Sequence, residues 1–141
     1  MPANVVQTFV SALALMATSL SALACSGGDE PSVPMSNSSS GSTCPPGSTL
    51  TYEGFAQNFF TSYCVRCHGS DKVASDRDGA PTGYDWDEYE SIAVHASAID
   101  AMAAGGPRQT NRTMPPGEPR PSDAERKQLG QWLACELDVG R

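Results

Sequence analysis

The sequence has little charge, and little of it is positive. Only 18% of the 141 residues are charged, and 16 acidic residues against nine basic ones give a net charge of −7. Nucleic-acid binding needs clustered lysine and arginine, so this balance argues against it. No apolar run reaches the roughly 20 residues of a mature transmembrane helix. No alternating strand pattern and no internal repeat is visible, which indicates an all-α protein.

The N-terminal segment has the pattern of an export signal. Residues 5–24 are apolar or small and uncharged, and they end in Ala22-Leu23-Ala24 before Cys25. This is the form of an apolar region followed by an A-x-A cleavage site. It also resembles the bacterial lipobox, in which the new N-terminal cysteine receives lipid. We therefore expect residues 1–24 to be a signal peptide and Cys25 to anchor the protein on the periplasmic side of a bacterial membrane. The alternative is an Ala/Leu-rich buried helix.

The next segment is expected to be a flexible linker. Residues 26–43 contain 12 Ser, Gly or Pro among 18 positions. Such a composition cannot bury enough apolar surface to offset the entropy of ordering the chain. The interpretation is a linker over residues 25–43, with the folded domain over residues 44–141.

Three amphipathic helices are predicted within the domain. They cover approximately residues 52–63, 86–104 and 123–138. Thr51 and Ser122 are suitable N-caps for the first and third, and Asp85 with Glu88 has the form of a capping box for the second. Three short helices bury a modest apolar area, so the domain is expected to need a stabilising cross-link or a large cofactor.

The segment Cys64-Val65-Arg66-Cys67-His68 carries the chemistry. The spacing C-x-x-C-H is the attachment signature of c-type haem. Two thiols three positions apart can both form thioethers with the haem vinyl groups, and the following His68 supplies the proximal iron ligand. A covalently held haem c would also complete the small core.

There are three alternative interpretations of these cysteines. A thioredoxin-like C-x-x-C needs a βαβ context, which is not visible. A zinc site needs four ligands, which Cys44, Cys64, Cys67 and Cys135 could supply, but the spacing is not that of two C-x-x-C pairs. A local disulfide between Cys64 and Cys67 is the third.

The domain resembles the small, single-haem, class I cytochromes c. Over about residues 50–138 it shows the family's order of first helix, C-x-x-C-H, middle helix, Met-bearing loop and last helix. Phe60 stands where the family has an aromatic residue, Ala56 where it has a small one, and Leu129 with Trp132 match the last helix. The resemblance implies a first helix crossed by the last and a fold of about three main helices wrapped around one haem.

The resemblance also implies a second axial ligand in the loop before the last helix. Thr113-Met114-Pro115-Pro116 lies in that loop, and the two prolines stiffen it. Met114 is therefore the expected distal ligand, with His95 as the alternative. Met102 lies among alanines near a predicted helix end and is expected to belong to the core.

If the terminal helices cross as in the family, Cys44 and Cys135 approach each other. An oxidising compartment permits a disulfide between them, and the alternative is two buried free thiols. Each of the five cysteines then has a role, with Cys25 carrying lipid and Cys64 and Cys67 carrying haem.

The resemblance implies electron transfer by cycling of haem iron between ferrous and ferric states. With His68 and Met114 on the iron no site is left for a substrate, so no enzymatic activity is expected. The alternative is a haem domain that binds a gas or peroxide, as a sensor or peroxidase. The expected partners are redox proteins and the membrane, and the chain is expected to be a monomer. The acidic run at 85–90 is read as a solvated helix start, or as a docking patch for a basic partner.

Overall fold

The fold consists of short helices joined by long loops. In the computed structural model, residues 38–140 are described. Their helices are a π-helical turn at Tyr52–Ala56, α1 (Gln57–Tyr63), α2 (Val65–His68), a 3-10 turn at Ala74–Arg77, α3 (Tyr89–Val94), α4 (Ala96–Ala103) and α5 (Asp123–Glu136). Within residues 38–140 there is no strand, only an isolated bridge between Gly105 and Thr110. The all-α prediction is confirmed. None of the described helices is long and apolar enough to cross a membrane.

The first and last helices are capped as their sequences predict. The Thr51 side chain accepts a hydrogen bond from the Gly54 N–H at 3.0 Å. At α5, Ser122 and Glu125 exchange bonds in a complete capping box. These local contacts satisfy backbone donors that the first turn of a helix leaves open.

The middle helix is shorter than predicted and divided in two. It begins at Tyr89, and it breaks at His95 between α3 and α4. The predicted capping box of Asp85 and Glu88 does not form, since Glu88 makes no side-chain cap. The backbone before the helix is bonded to the C-x-x-C-H motif instead, because the Trp86 N–H donates to the His68 carbonyl at 2.6 Å. This tertiary contact outweighs the local capping preference.

The π-helical turn and α1 together form the first helical segment, residues 52–63. The core lies where this segment meets α5. Ala56, Phe60, Leu129 and Trp132 are all nearly or fully buried. The rings of Phe60 and Trp132 meet edge to face, with centroids 6.0 Å apart. Their burial and ring geometry stabilise the contact through apolar area and the aromatic quadrupoles. The packing between these two segments is the one that the resemblance implied.

Residues 38–43, which were predicted to be the end of the flexible linker, are packed into the domain as an N-terminal strap. Ser40 is fully buried, and its N–H and hydroxyl donate to the Asp100 carboxylate at 2.9 and 2.5 Å. The Ser42 hydroxyl donates to the Gly105 carbonyl at 2.9 Å, and Gly130 gives the strap room to approach α5. The composition argument missed the strap because it counts apolar burial, whereas hydrogen bonds to a buried carboxylate order this segment.

Candidate haem site

A central cavity of about 450 Å³ lies between the first helical segment, α4 and the loop that precedes α5. Its wall is largely apolar and includes residues from both halves of the domain. The residues that line the cavity include Phe59, Phe60, Tyr63, Cys64, Arg66, Cys67, His68, Tyr84, Trp86, Ile99, Met102, Met114, Pro115 and Pro116. Largely apolar clefts and cavities with a few polar groups are typical of cofactor sites.

The predicted haem-binding cysteines share one helical turn at the cavity wall. The N–H groups of Cys67 and His68 both donate to the Cys64 carbonyl, at 3.1 and 2.9 Å. Both thiols are free, and both line the cavity. Burial raises the pKa of Cys64 to about 12, so its thiol is protonated at neutral pH. The C-x-x-C-H spacing therefore brings two thiols and an imidazole to one wall.

His68 is held in the tautomer that an iron ligand needs. Its Nδ1 lies 2.9 Å from the Tyr84 carbonyl oxygen and donates to it, because a carbonyl can only accept. This leaves the Nε2 lone pair for a metal. The imidazole also stacks on Trp86, with centroids 5.0 Å apart and planes 18° apart. Burial lowers the pKa of His68, which favours the neutral ring.

Arg77 holds the carbonyl that orients His68, and sequence reasoning missed it. Its guanidinium is buried and donates to the Tyr84 carbonyl at 3.1 Å and the Pro81 carbonyl at 2.7 Å. It also forms an ion pair with Asp85 at 2.9 Å. Thus the carboxylate predicted to cap a helix instead neutralises a buried cation. An arginine in a polar loop carries no local signal of this role.

Met114 and Met102 both line the cavity. The Met114 N–H donates to the Met102 carbonyl at 3.0 Å. Met114 is 38% exposed. Met102 is half-buried and lines the cavity, and it is not part of the cluster of buried residues packed between the helices. Helix periodicity shows which side of α4 faces inward, but it does not distinguish a packed interior from a cavity.

Arg126 is a second buried arginine that sequence reasoning missed. It lies in α5 and is 1% exposed. Its Nη1 lies 2.8 Å from each of three carbonyl oxygens, those of Ala103, Asn111 and Met114. Burial lowers its pKa from the ordinary value. Arg126 interrupts the apolar stripe of α5. A charged residue at such a position was the feature of the sequence that could have indicated a buried cation.

His95, the alternative distal ligand, is not among the residues that line the cavity. Its ring packs on Tyr84 and Trp86, with centroids 4.0 and 5.5 Å apart. Its Nδ1 lies 2.8 Å from the Ser91 carbonyl. Trp86 therefore contacts both imidazoles, that of His68 face to face and that of His95 at an angle.

The structure bonds Cys44 to Cys135, with their Cα atoms 4.6 Å apart. The two cysteines are 91 positions apart in sequence. Because they are bonded to each other, they are not available for the four-cysteine zinc site considered above. Among residues 38–140 no group of three or more His, Cys, Asp or Glu side chains could hold a metal ion. Cys25 and the predicted signal peptide lie outside the described residues.

These residues fit a covalently attached haem. The residues that line the cavity supply two free thiols, an imidazole, two thioethers and several aromatic rings. This donor set suits c-type haem, for which histidine with methionine is a known axial pair.

One comparison with known proteins gives a match. The family model described as cytochrome C oxidase, cbb3-type, subunit III matches residues 56–133. That span begins at the buried alanine of the first helical segment and ends in α5, so it includes the whole cavity wall. Searches of curated proteins and of solved structures found no match.

Proposed function

This chain belongs to the cytochrome c family, and on that premise we propose that it is a single-haem electron carrier with no catalytic activity of its own. Membership in the family establishes haem c as the cofactor and indicates electron transfer. The observation that supports the finer proposal is the cavity, because Cys64, Cys67, His68 and Met114 are all among the residues that line it.

Each of these residues has a defined task in the proposal. Cys64 and Cys67 would hold the cofactor covalently, and His68 and Met114 would ligate its iron. Bound there, haem c supplies one-electron exchange between ferrous and ferric iron. The hydrogen bond from His68 to Tyr84 keeps the imidazole oriented. The wall of the cavity is largely apolar, and a thioether ligand from Met114 would favour the ferrous state and raise the potential.

The assignment of Met114 is tested with full-chain holoprotein produced with a cytochrome c maturation system. Met114→Ala should make the oxidised protein high-spin, abolish the weak long-wavelength sulfur-to-iron band, lower the potential and allow carbon monoxide to bind the reduced protein. Met102→Leu is the matched control, since it removes the other cavity thioether, and it should leave the band intact. His95→Ala should also leave it intact.

Other outcomes identify what is wrong. If Met102→Leu abolishes the band and Met114→Ala does not, the distal ligand is Met102. If wild-type protein is already high-spin and binds carbon monoxide readily, the gas- or peroxide-binding alternative replaces the electron carrier. Haem that acid-acetone extracts would contradict attachment through Cys64 and Cys67.

We further propose that the protein is exported and tethered by lipid at Cys25, with a redox protein as its partner. The support is the uncharged segment ending in Ala22-Leu23-Ala24-Cys25, followed by a Ser/Gly/Pro-rich stretch. Cys25→Ser should release the holoprotein from the membrane fraction while its visible spectrum stays unchanged. A wild-type protein that is soluble and carries an unmodified Cys25 would contradict the tether.

A further inference from the structure

The buried cation in α5 has an unusual environment. Arg126 is 1% exposed, and among residues 38–140 no carboxylate lies within ion-pair distance of it. Buried guanidinium groups are normally paired with a carboxylate, because desolvation of the charge is costly. Here the partners are backbone carbonyls, those of Ala103, Asn111 and Met114, each 2.8 Å from Nη1.

These three carbonyls belong to segments that meet at the cavity. Ala103 is the last residue of α4, and Asn111 and Met114 lie in the loop between α4 and α5. The loop has no regular secondary structure around Met114, and the Met114 N–H is bonded to the Met102 carbonyl. Arg126 and Met102 therefore fix both polar backbone groups of Met114.

We propose that Arg126 is the positioning residue for Met114, which it holds toward the cavity against displacement by competing ligands. The inference rests on the proposed function, because it takes Met114 to be the distal ligand. Arg126 does not touch the cofactor in this proposal. It acts through the Met114 carbonyl.

The physical argument concerns what happens when the guanidinium is removed. The three carbonyls then lose a charge-assisted donor, and carbonyls left buried without a partner are unfavourable. The Met114 carbonyl can recover a partner by turning to water, since Met114 is already 38% exposed. That movement carries the thioether away from the cavity. Loss of Arg126 therefore shifts the loop toward a state in which Met114 is displaced.

The test measures how readily an added ligand replaces Met114 in oxidised, full-chain holoprotein. Imidazole is titrated into the wild type and into Arg126→Met, whose side chain keeps the apolar stem but has no donors. We expect imidazole to bind Arg126→Met about tenfold more tightly or better, and the sulfur-to-iron band to weaken. Arg126→Lys keeps the cation and its donors, so it should restore most of the band and bind imidazole nearly as weakly as the wild type.

A control separates positioning from general loosening. Leu129→Ala removes a fully buried side chain of the same helix that does not line the cavity. It should lower the urea midpoint but leave imidazole affinity close to that of wild type. If Leu129→Ala tightens imidazole binding as much as Arg126→Met does, the effect is loosening and the inference is wrong.

The remaining outcomes are also decisive. Unchanged imidazole affinity and band in Arg126→Met would overturn the inference. If Arg126→Met does not accumulate as holoprotein, Arg126→Gln keeps part of the donor set and should bind imidazole with intermediate affinity; wild-type affinity in that variant would equally overturn it. Failure of the proposed function has a different signature, since Met114→Ala would then leave the band unchanged.

Discussion

Replacement of Arg77 by methionine should destabilise the domain strongly, and the structure allows the size of the effect to be estimated. Arg77 and Asp85 form an ion pair at 2.9 Å, with side-chain exposures of 6% and 19%. Asp85 Oδ1 is buried and has no hydrogen-bond partner among the described residues, so the nearby cation is its compensation. Removing one member of a buried pair typically costs about 3–5 kcal/mol. We expect Arg77→Met to fall in that range.

The contribution of the pair is isolated by a double-mutant cycle. Asp85→Asn removes the charge that Arg77→Met would leave uncompensated, so the double variant should be more stable than the sum of the single effects predicts. Residues in direct contact commonly couple by about 0.5–3 kcal/mol, and we expect a value toward the upper end. The assay is urea unfolding of oxidised holoprotein followed by far-UV circular dichroism.

Two results would refute this reasoning. One is a decrease in the free energy of unfolding of less than about 1 kcal/mol in Arg77→Met, which is typical of an exposed ion pair. The other is additivity of the two substitutions within about 0.3–0.5 kcal/mol, which is the behaviour of independent sites. Arg112→Met is the matched control, because Arg112 pairs with Asp123 at the exposed surface. It should change stability by less than about 1 kcal/mol.

Three further predictions concern stability. Replacing Cys44 and Cys135 together by serine should lower the free energy of unfolding by about 4 kcal/mol in urea, because a 91-residue separation is no longer closed in the unfolded chain; an unchanged midpoint would contradict it. Hydrogen bonds from Ser122 lower the pKa of Glu125 below its ordinary 4.5 in the folded protein. They therefore stabilise the folded state fully above pH 4.5, and this stabilisation is lost as the pH falls through the folded pKa of Glu125. Unfolding titrations of Glu125→Gln should therefore depend less on pH in that acidic window, and an identical pH profile would contradict it. Gly130→Ala should cost about 1–3 kcal/mol in thermal unfolding despite alanine's better helix propensity, because its Cβ would press on the strap; stabilisation would contradict it.

The predictions from sequence succeeded where the determining contacts lie close together in the chain. The first helical segment and α5 follow from apolar periodicity and from caps that act within three or four residues. The C-x-x-C-H motif is equally local, since one helical turn brings Cys64, Cys67 and His68 to the same wall. The middle helix was predicted to begin too early, because Asp85 and Glu88 have the spacing of a capping box that does not form. The hydrogen bond from Trp86 to the His68 carbonyl and the ion pair between Asp85 and Arg77 decide that region instead.

The sequence by itself determined the all-α class and the C-x-x-C-H motif, and it predicts Met114 as the distal counterpart. The tertiary structure alone decided which polar groups hold His68 and the backbone of Met114 in place. Arg77 donates to carbonyls of the irregular chain around it, such as that of Pro81 four positions on, whereas Arg126 donates to carbonyls 12 to 23 positions away. Every residue has such a carbonyl, so no residue type marks the acceptor. The strap is a similar case, because its order depends on a carboxylate 60 residues away, at Asp100. Such contacts become visible only when the fold brings their partners together.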